Sequence, residues 1–118
     1  MLVTDTLSAM GLPKGVYILG GSEVEVDEKG GAYIKGTRTL AGSTITIDQC
    51  IRNFKKFTNC SIVEAVEAAT LHPARMLGID NQKGTLNVGA DADFVFLDDS
   101  NDDIQVKRVF IAGEEVEL

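Results

Sequence analysis

At 118 residues the chain is long enough for one modest hydrophobic core and too short for a complete (β/α)8 barrel, which takes about 250 residues. Its 44% hydrophobic and 25% charged residues are ordinary for a globular protein in water, and a formal net charge of −7 argues against nucleic acid as a partner, because an acidic chain gains nothing from phosphate backbones. No apolar run approaches the length of a membrane span, no signal-peptide pattern opens the chain, and Cys50 and Cys60 form neither a disulfide framework nor a metal knuckle; buried reduced thiols are the favoured reading, which points to the cytoplasm.

Leu2-Val3-Thr4 is a short apolar, β-branched run that ends on the carboxylate of Asp5. Turn and glycine signals come next, through Gly11, Pro13 and Gly15, so the run reads as a strand that delivers an acid to the mouth of a site. Val16 to Leu19 is a second apolar run, closed by Gly20-Gly21. Glu23 to Asp27 alternates cleanly with its valines on one face, and after a turn at Glu28 to Gly31 the run Ala32 to Lys35 pairs back as a hairpin arm. Thr37 to Ser43, small and polar, reads as loop, with Gly42 allowing a close backbone approach.

Thr46 opens a helix, with Gln49 completing a capping box. Ile47, Cys50, Ile51, Phe54 and Phe57 form its apolar stripe, and Asn59 is its stop. Ser61 and Glu64 make a second capping box before the buried face Ile62, Ala65, Val66 and Ala69. Pro73 is expected to open a short helix through Leu77 at its first position, capped by Gly78. From Lys83 the period becomes β. Gly84 to Leu86 is a predicted short strand, Gly89 to Ala92 a turn, and Phe94 to Leu97 a strand buried on both faces. Asp98 to Asp103 is an acidic surface loop, and Lys107 to Ala112 a strand that turns through Gly113 to Glu115 into Val116.

Three stretches carry a resemblance. Val3-Thr4-Asp5 with Leu7-Ser8-Ala9-Met10-Gly11 resembles the last barrel strand and its adjoining loop in the N-acetylglucosamine-6-phosphate deacetylase family. Thr39-Leu40-Ala41-Gly42-Ser43 resembles that family's substrate loop, with Ala41 in place of a serine. Ala68 to Arg75, Lys83 to Leu86 and Gly89 to Val95 resemble the C-terminal signature of the wider amidohydrolase superfamily. The resemblance covers nearly the whole chain but only about the C-terminal third of the family's enzyme.

The resemblance implies a (β/α)8 TIM barrel plus a small β-sandwich in the parent enzyme, of which this chain is a mixed α and β piece. Residues 1–78 would be the C-terminal part of the barrel, and residues 79–118 the C-terminal strands of the sandwich. It implies a divalent metal, zinc by preference, in the full-length parent. The family's Glu and two His ligands would lie upstream, so no metal ligand is expected in this chain. It implies catalysis by Asp5, which would take a proton from the attacking water and return it to the departing amine. The plainer use of such an aspartate is to cap a turn. Leu40, Ala41 and Gly42 would contact the N-acetyl group, and the plainer reading there is a connection. Ala41 brings no hydroxyl, so only backbone contacts would survive at that position.

The remaining polar groups favour plainer readings. His72 is the only histidine, and a zinc site needs three or four ligands. Arg38 and Arg75 read as solvated. Asp91, Asp93, Asp98, Asp99, Asp102 and Asp103 lack the ordered spacing of a calcium loop. The leading expectation is thus the C-terminal part of a deacetylase acting on N-acetylglucosamine 6-phosphate, inactive as this piece alone. The alternatives are a piece of a dihydroorotase-like or deaminase-like amidohydrolase, and a non-catalytic interaction module. Apolar surfaces of such a piece favour a homo-oligomer, with a dimer the simplest case.

Overall fold

The computed structural model describes residues 1–100 and 103–117, so Asn101 and Asp102 of the expected acidic loop lie outside the described residues. The residues group into two units, Thr4–Thr46 and Met1–Val3 with Ile47–Leu118.

The first unit is an antiparallel meander of β1 (Gly15–Leu19), β2 (Ser22–Val26), β3 (Ala32–Ile34) and β4 (Leu40–Gly42), paired in chain order. Leu19 pairs with Ser22, which leaves Gly20-Gly21 as a two-residue turn. Both glycines have positive φ, 57° and 81°, as a primed hairpin turn requires. The β2–β3 turn is tied by Asp27, whose Oδ1 accepts the N–H of Lys29 and of Gly31 at 2.8 Å each. The alternation in β2 buries Val24 and Val26 and leaves Glu23 and Glu25 outside. These valines, Ala9 and Ala32 form a core that Leu7, Leu12, Tyr17, Leu19 and Ala41 cover.

β4 corrects the loop expected over Thr37 to Ser43. Ala32 pairs with Gly42 and Tyr33 with Leu40, with a bulge between Ala32 and Tyr33. A strand of small residues has no local signature; β3 supplies the template. The strand expected over Leu2 to Asp5 does not form. That run has one backbone bond, Leu2 N–H to Ala68 O at 2.6 Å, and pairing begins only with a single parallel bridge from Thr6 to Ser43. A strand exists only where a neighbour offers a ladder.

In the second unit α1 (Ile47–Thr58), α2 (Ile62–Glu67) and α3 (Leu71–Leu77) precede a sheet of β5 (Phe94–Asp98), β6 (Gln105–Ile111) and β7 (Glu114–Val116). Ile51, Ala65 and Ile104 are its buried centre, with Leu2, Phe54, Ile62, Val66 and Leu97 packed around them. This shared core joins the helices to the sheet within the second unit. Arg52 on α1 reinforces the joint, donating to the Ile104 carbonyl at 2.8 Å and to Asp48 at 2.6 Å.

The Ser61–Glu64 capping box forms in full. The Thr46–Gln49 box does not: the Gln49 amide is engaged by Asn53 and Arg52. Phe57 is 79% exposed and drops out of the α1 stripe. Asn59 ends α1 with φ 55°, and Gly78 ends α3 with φ 69°. α3 starts at Leu71, which makes Pro73 its third residue; a first-turn N–H has no helical acceptor, so proline is tolerated there. Gly84 to Leu86 forms no strand: Lys83 to Thr85 is a bend and Leu86 is irregular. β5 is not buried on both faces, since Val95 and Phe96 are about half exposed. Cys50 and Cys60 are free and half-buried.

Candidate functional site

Asp5 and the Leu40–Gly42 segment lie in the same unit. The residues just after Asp5 join them. Thr6 bridges to Ser43, the Leu7 N–H donates to the Ser43 carbonyl at 2.9 Å, and Thr6 Oγ1 donates to the Ile45 carbonyl at 2.7 Å. Leu7 lies flat against Gly42: a Cβ on that glycine would stand 2.7 Å from Leu7 Cγ. Glycine is therefore required at position 42 for close packing, as the sequence suggested, but the close approach is made by Leu7 of the same chain.

Asp5 is exposed, and its backbone has φ 45°, in the left-handed region. Among the described residues no group donates a hydrogen bond to its carboxylate and no cation pairs with it. It therefore does not cap a turn. Leu40 is 60% exposed at the start of β4, and Ala41 reaches the meander core. The arrangement offers a solvated carboxylate, one accessible apolar side chain and a glycine backbone on neighbouring segments.

The other sequence candidates fall elsewhere. His72 is exposed on α3, and among the described residues no three His, Cys, Asp or Glu side chains gather as a metal site. Arg75 pairs with Asp80 at 3.8 Å, and Arg38 is exposed in the β3–β4 turn. Asp91, Asp93 and Asp98 serve structure. Lys83 pairs with Asp91 at 2.7 Å and also with Asp93, while Asp93 Oδ1 accepts the Ala112 N–H at 2.8 Å. The Ala112 N–H, then Lys83, hold the Asp93 carboxyl below its ordinary range, and Asp91 and Asp93 push Lys83 up. Asp98 accepts from Ser100, which lowers it in the same way. Asp102 lies outside the described residues.

Sequence reasoning missed Thr6 and Ser43. The one available signal was a hydroxyl directly after the acid and another at the end of the glycine loop, and neither residue type announces a long-range partner.

The Amidohydrolase family model matches residues 1–116. The chain is 52% identical over 116 residues to the N-acetylglucosamine-6-phosphate deacetylases of Bos taurus and Homo sapiens, covering 98% of this chain and 27% of each relative. It is 40% identical over 114 residues to the N-acetylgalactosamine-6-phosphate deacetylase of Escherichia coli O157:H7, covering 97% of this chain and 29% of the relative. Among solved structures, an N-acetylglucosamine-6-phosphate deacetylase from Thermotoga maritima superposes with TM-score 0.83 at 38% identity, over 98% of this chain and 30% of that one. An aspartate-to-alanine mutant of the Mycobacterium smegmatis enzyme, in complex with N-acetyl-D-glucosamine-6-phosphate, superposes with TM-score 0.79 at 37% identity, over 97% of this chain and 29% of that one. The chain thus spans less than a third of the length of these relatives. Their family suggests a divalent metal in the full-length enzyme, for which the described residues supply no ligand cluster. With a family match over nearly its whole length, the chain belongs to the amidohydrolase family.

Proposed function

We propose that the chain is part of a metal-dependent amide hydrolase that converts N-acetylglucosamine 6-phosphate to glucosamine 6-phosphate and acetate in the cytoplasm. Residues 1–78 belong in this reading to the end of a TIM barrel and residues 79–118 to a small β-sandwich. The metal of the whole enzyme, zinc in our reading, does not fit the residues described, and no step assigned to them runs through it.

The observation that carries the reading is Asp5: an unpartnered carboxylate on a left-handed backbone, one residue from the bridge to the Leu40–Gly42 segment. Backbone outliers of this kind cluster at functional sites. A carboxylate that accepts nothing is free to act as a base. Asp5 takes the proton of the attacking water and passes it to the amine nitrogen as the carbon–nitrogen bond breaks. Leu40 offers an apolar wall to the acetyl methyl, and the Ala41-Gly42 backbone lies beside it. A mycobacterial relative, an aspartate-to-alanine mutant, is in complex with N-acetyl-D-glucosamine-6-phosphate, which supports the substrate class.

The test is a chimaera in which this chain replaces the 116 matched residues of the bovine relative. It is assayed for acetate release from the 6-phosphates of N-acetylglucosamine and N-acetylgalactosamine, and for opening of dihydroorotate. The glucosamine derivative is expected to be the best substrate. Asp5→Asn is expected to lower kcat by on the order of 100- to 10,000-fold. A folded chimaera that prefers dihydroorotate, or one that keeps full activity without the Asp5 carboxylate, would refute the reading.

A further inference from the structure

Three non-glycine residues among those described have positive φ: Asp5, Asn59 and Ala112. Two have a local cause. Asn59 ends α1, and Ala112 forms with Gly113 the two-residue turn between Ile111 and Glu114. Asp5 sits in no turn and at no helix end. Its carboxylate makes no local hydrogen bond that would favour the left-handed region. The two residues on its C-terminal side, Thr6 and Leu7, are held by long-range contacts.

These two tie the start of the unit to its end. Thr6 Oγ1 holds the Ile45 carbonyl at 2.7 Å across 39 positions. Thr6 is bridged to Ser43, and the Leu7 N–H is bonded to the Ser43 carbonyl. Leu7 fills the space that Gly42 leaves, with no room for one more carbon. With Thr6 and Leu7 fixed on two sides, the chain that arrives from Thr4 has to turn at Asp5.

We propose that Thr6 is the positioning residue for Asp5: its hydroxyl clamp on Ile45, with Leu7 seated on Gly42, holds Asp5 in the left-handed conformation beside the Leu40–Gly42 segment. The effect on catalysis rests on the reading of Asp5 as the base; the effect on its backbone does not.

The 118-residue chain, isotopically labelled, tests the backbone claim. The HN–Hα coupling of Asp5, read together with its short intraresidue HN–Hα distance, distinguishes the left-handed region from extended chain. Thr6→Val keeps the branched shape and removes the hydroxyl, and is expected to move the Asp5 coupling to the value of extended chain while the β1–β4 cross-strand contacts persist. Thr6→Ser is expected to keep the native coupling. Gly42→Ala is expected to displace it, and Leu7→Ala in the same chain to restore it. In the chimaera, Thr6→Val is expected to lower kcat by on the order of 10- to 100-fold at unchanged KM, with Thr6→Ser rescuing it. An unchanged Asp5 coupling and unchanged kcat in Thr6→Val overturn the proposal. Should Thr6→Val unfold the meander, Thr6→Ala takes its place: a native Asp5 coupling in that variant overturns the proposal, and a displaced one upholds it. An active Asp5→Asn chimaera refutes the base assignment and leaves the coupling result to stand or fall by itself.

Discussion

Gly84 has φ 79°, and a Cβ built on it would meet the Thr70 carbonyl oxygen at 2.7 Å and the Ala74 Cβ at 2.9 Å. Both obstacles are backbone or a first side-chain carbon, so neither can swing away. The glycine lets the chain leave α3 while pressed against it. The same contact explains why Gly84 to Leu86 forms no strand although its residues read as one. Gly84→Ala is expected to destabilise the chain by roughly 1–3 kcal/mol, seen as a lower urea midpoint. An unchanged midpoint would show that the Thr70 turn yields. At this scale the sequence is legible in part. The acid at position 5 and the glycine at position 42 both stand out, but the left-handed φ of Asp5 arises from contacts made far along the chain, at Gly42, Ser43 and Ile45, and leaves no mark on the neighbouring residues.

Among the elements, legibility tracks locality. The Ser61–Glu64 box could be read because both partners lie within one helical turn, and it forms as expected. Its chemistry gives a pH dependence. The Ser61 backbone N–H, then its hydroxyl, hold the Glu64 carboxyl below its ordinary value of 4.5. A lowered acid stabilises the fold fully above the unfolded value, and that contribution is lost as pH falls through the folded one. Helicity of α2 is thus expected to weaken in acid. Glu64→Gln is expected to flatten the dependence of thermal stability on pH below about 4.5; an identical acid slope in the variant would contradict this. β4 and the Leu2 to Asp5 run depart from expectation for the opposite reason. A strand is decided by its neighbour, and the three residues of β4 become a strand only on β3. Pro73 misled by its position in the first turn, because proline suits any of the first helical positions, not the first alone.

At the scale of the whole chain, the β5–β7 sheet carries apolar groups on both faces. Phe94 stacks on Phe110 with ring centres 4.6 Å apart, Phe96 meets both edge-on, and Arg108 lies over Phe96 and Phe110 while bonded to Glu115. Val95, Ile111 and Val116 on the other face are each two-fifths exposed or more. Surfaces of this kind in a chain of 118 residues favour self-association. The purified chain is expected to run as a dimer or larger in light scattering, and to release no acetate from N-acetylglucosamine 6-phosphate with added zinc. A strictly monomeric species, or turnover at the level of a full-length relative, would contradict these expectations.

The tie between Thr6 and Ile45 has a kinetic consequence. Closing so long a free loop in one step would be slow and entropically unfavourable. Yet all four strands of the meander lie between the two ends, and each pairs with its neighbour in chain order. Each hairpin that zips shortens the span left to close, so the acid and its loop meet at the end of a run of fast local steps. Extra residues at the Gly20-Gly21 tip would leave that meeting point intact, whereas a cut between β2 and β3 would set the two halves adrift.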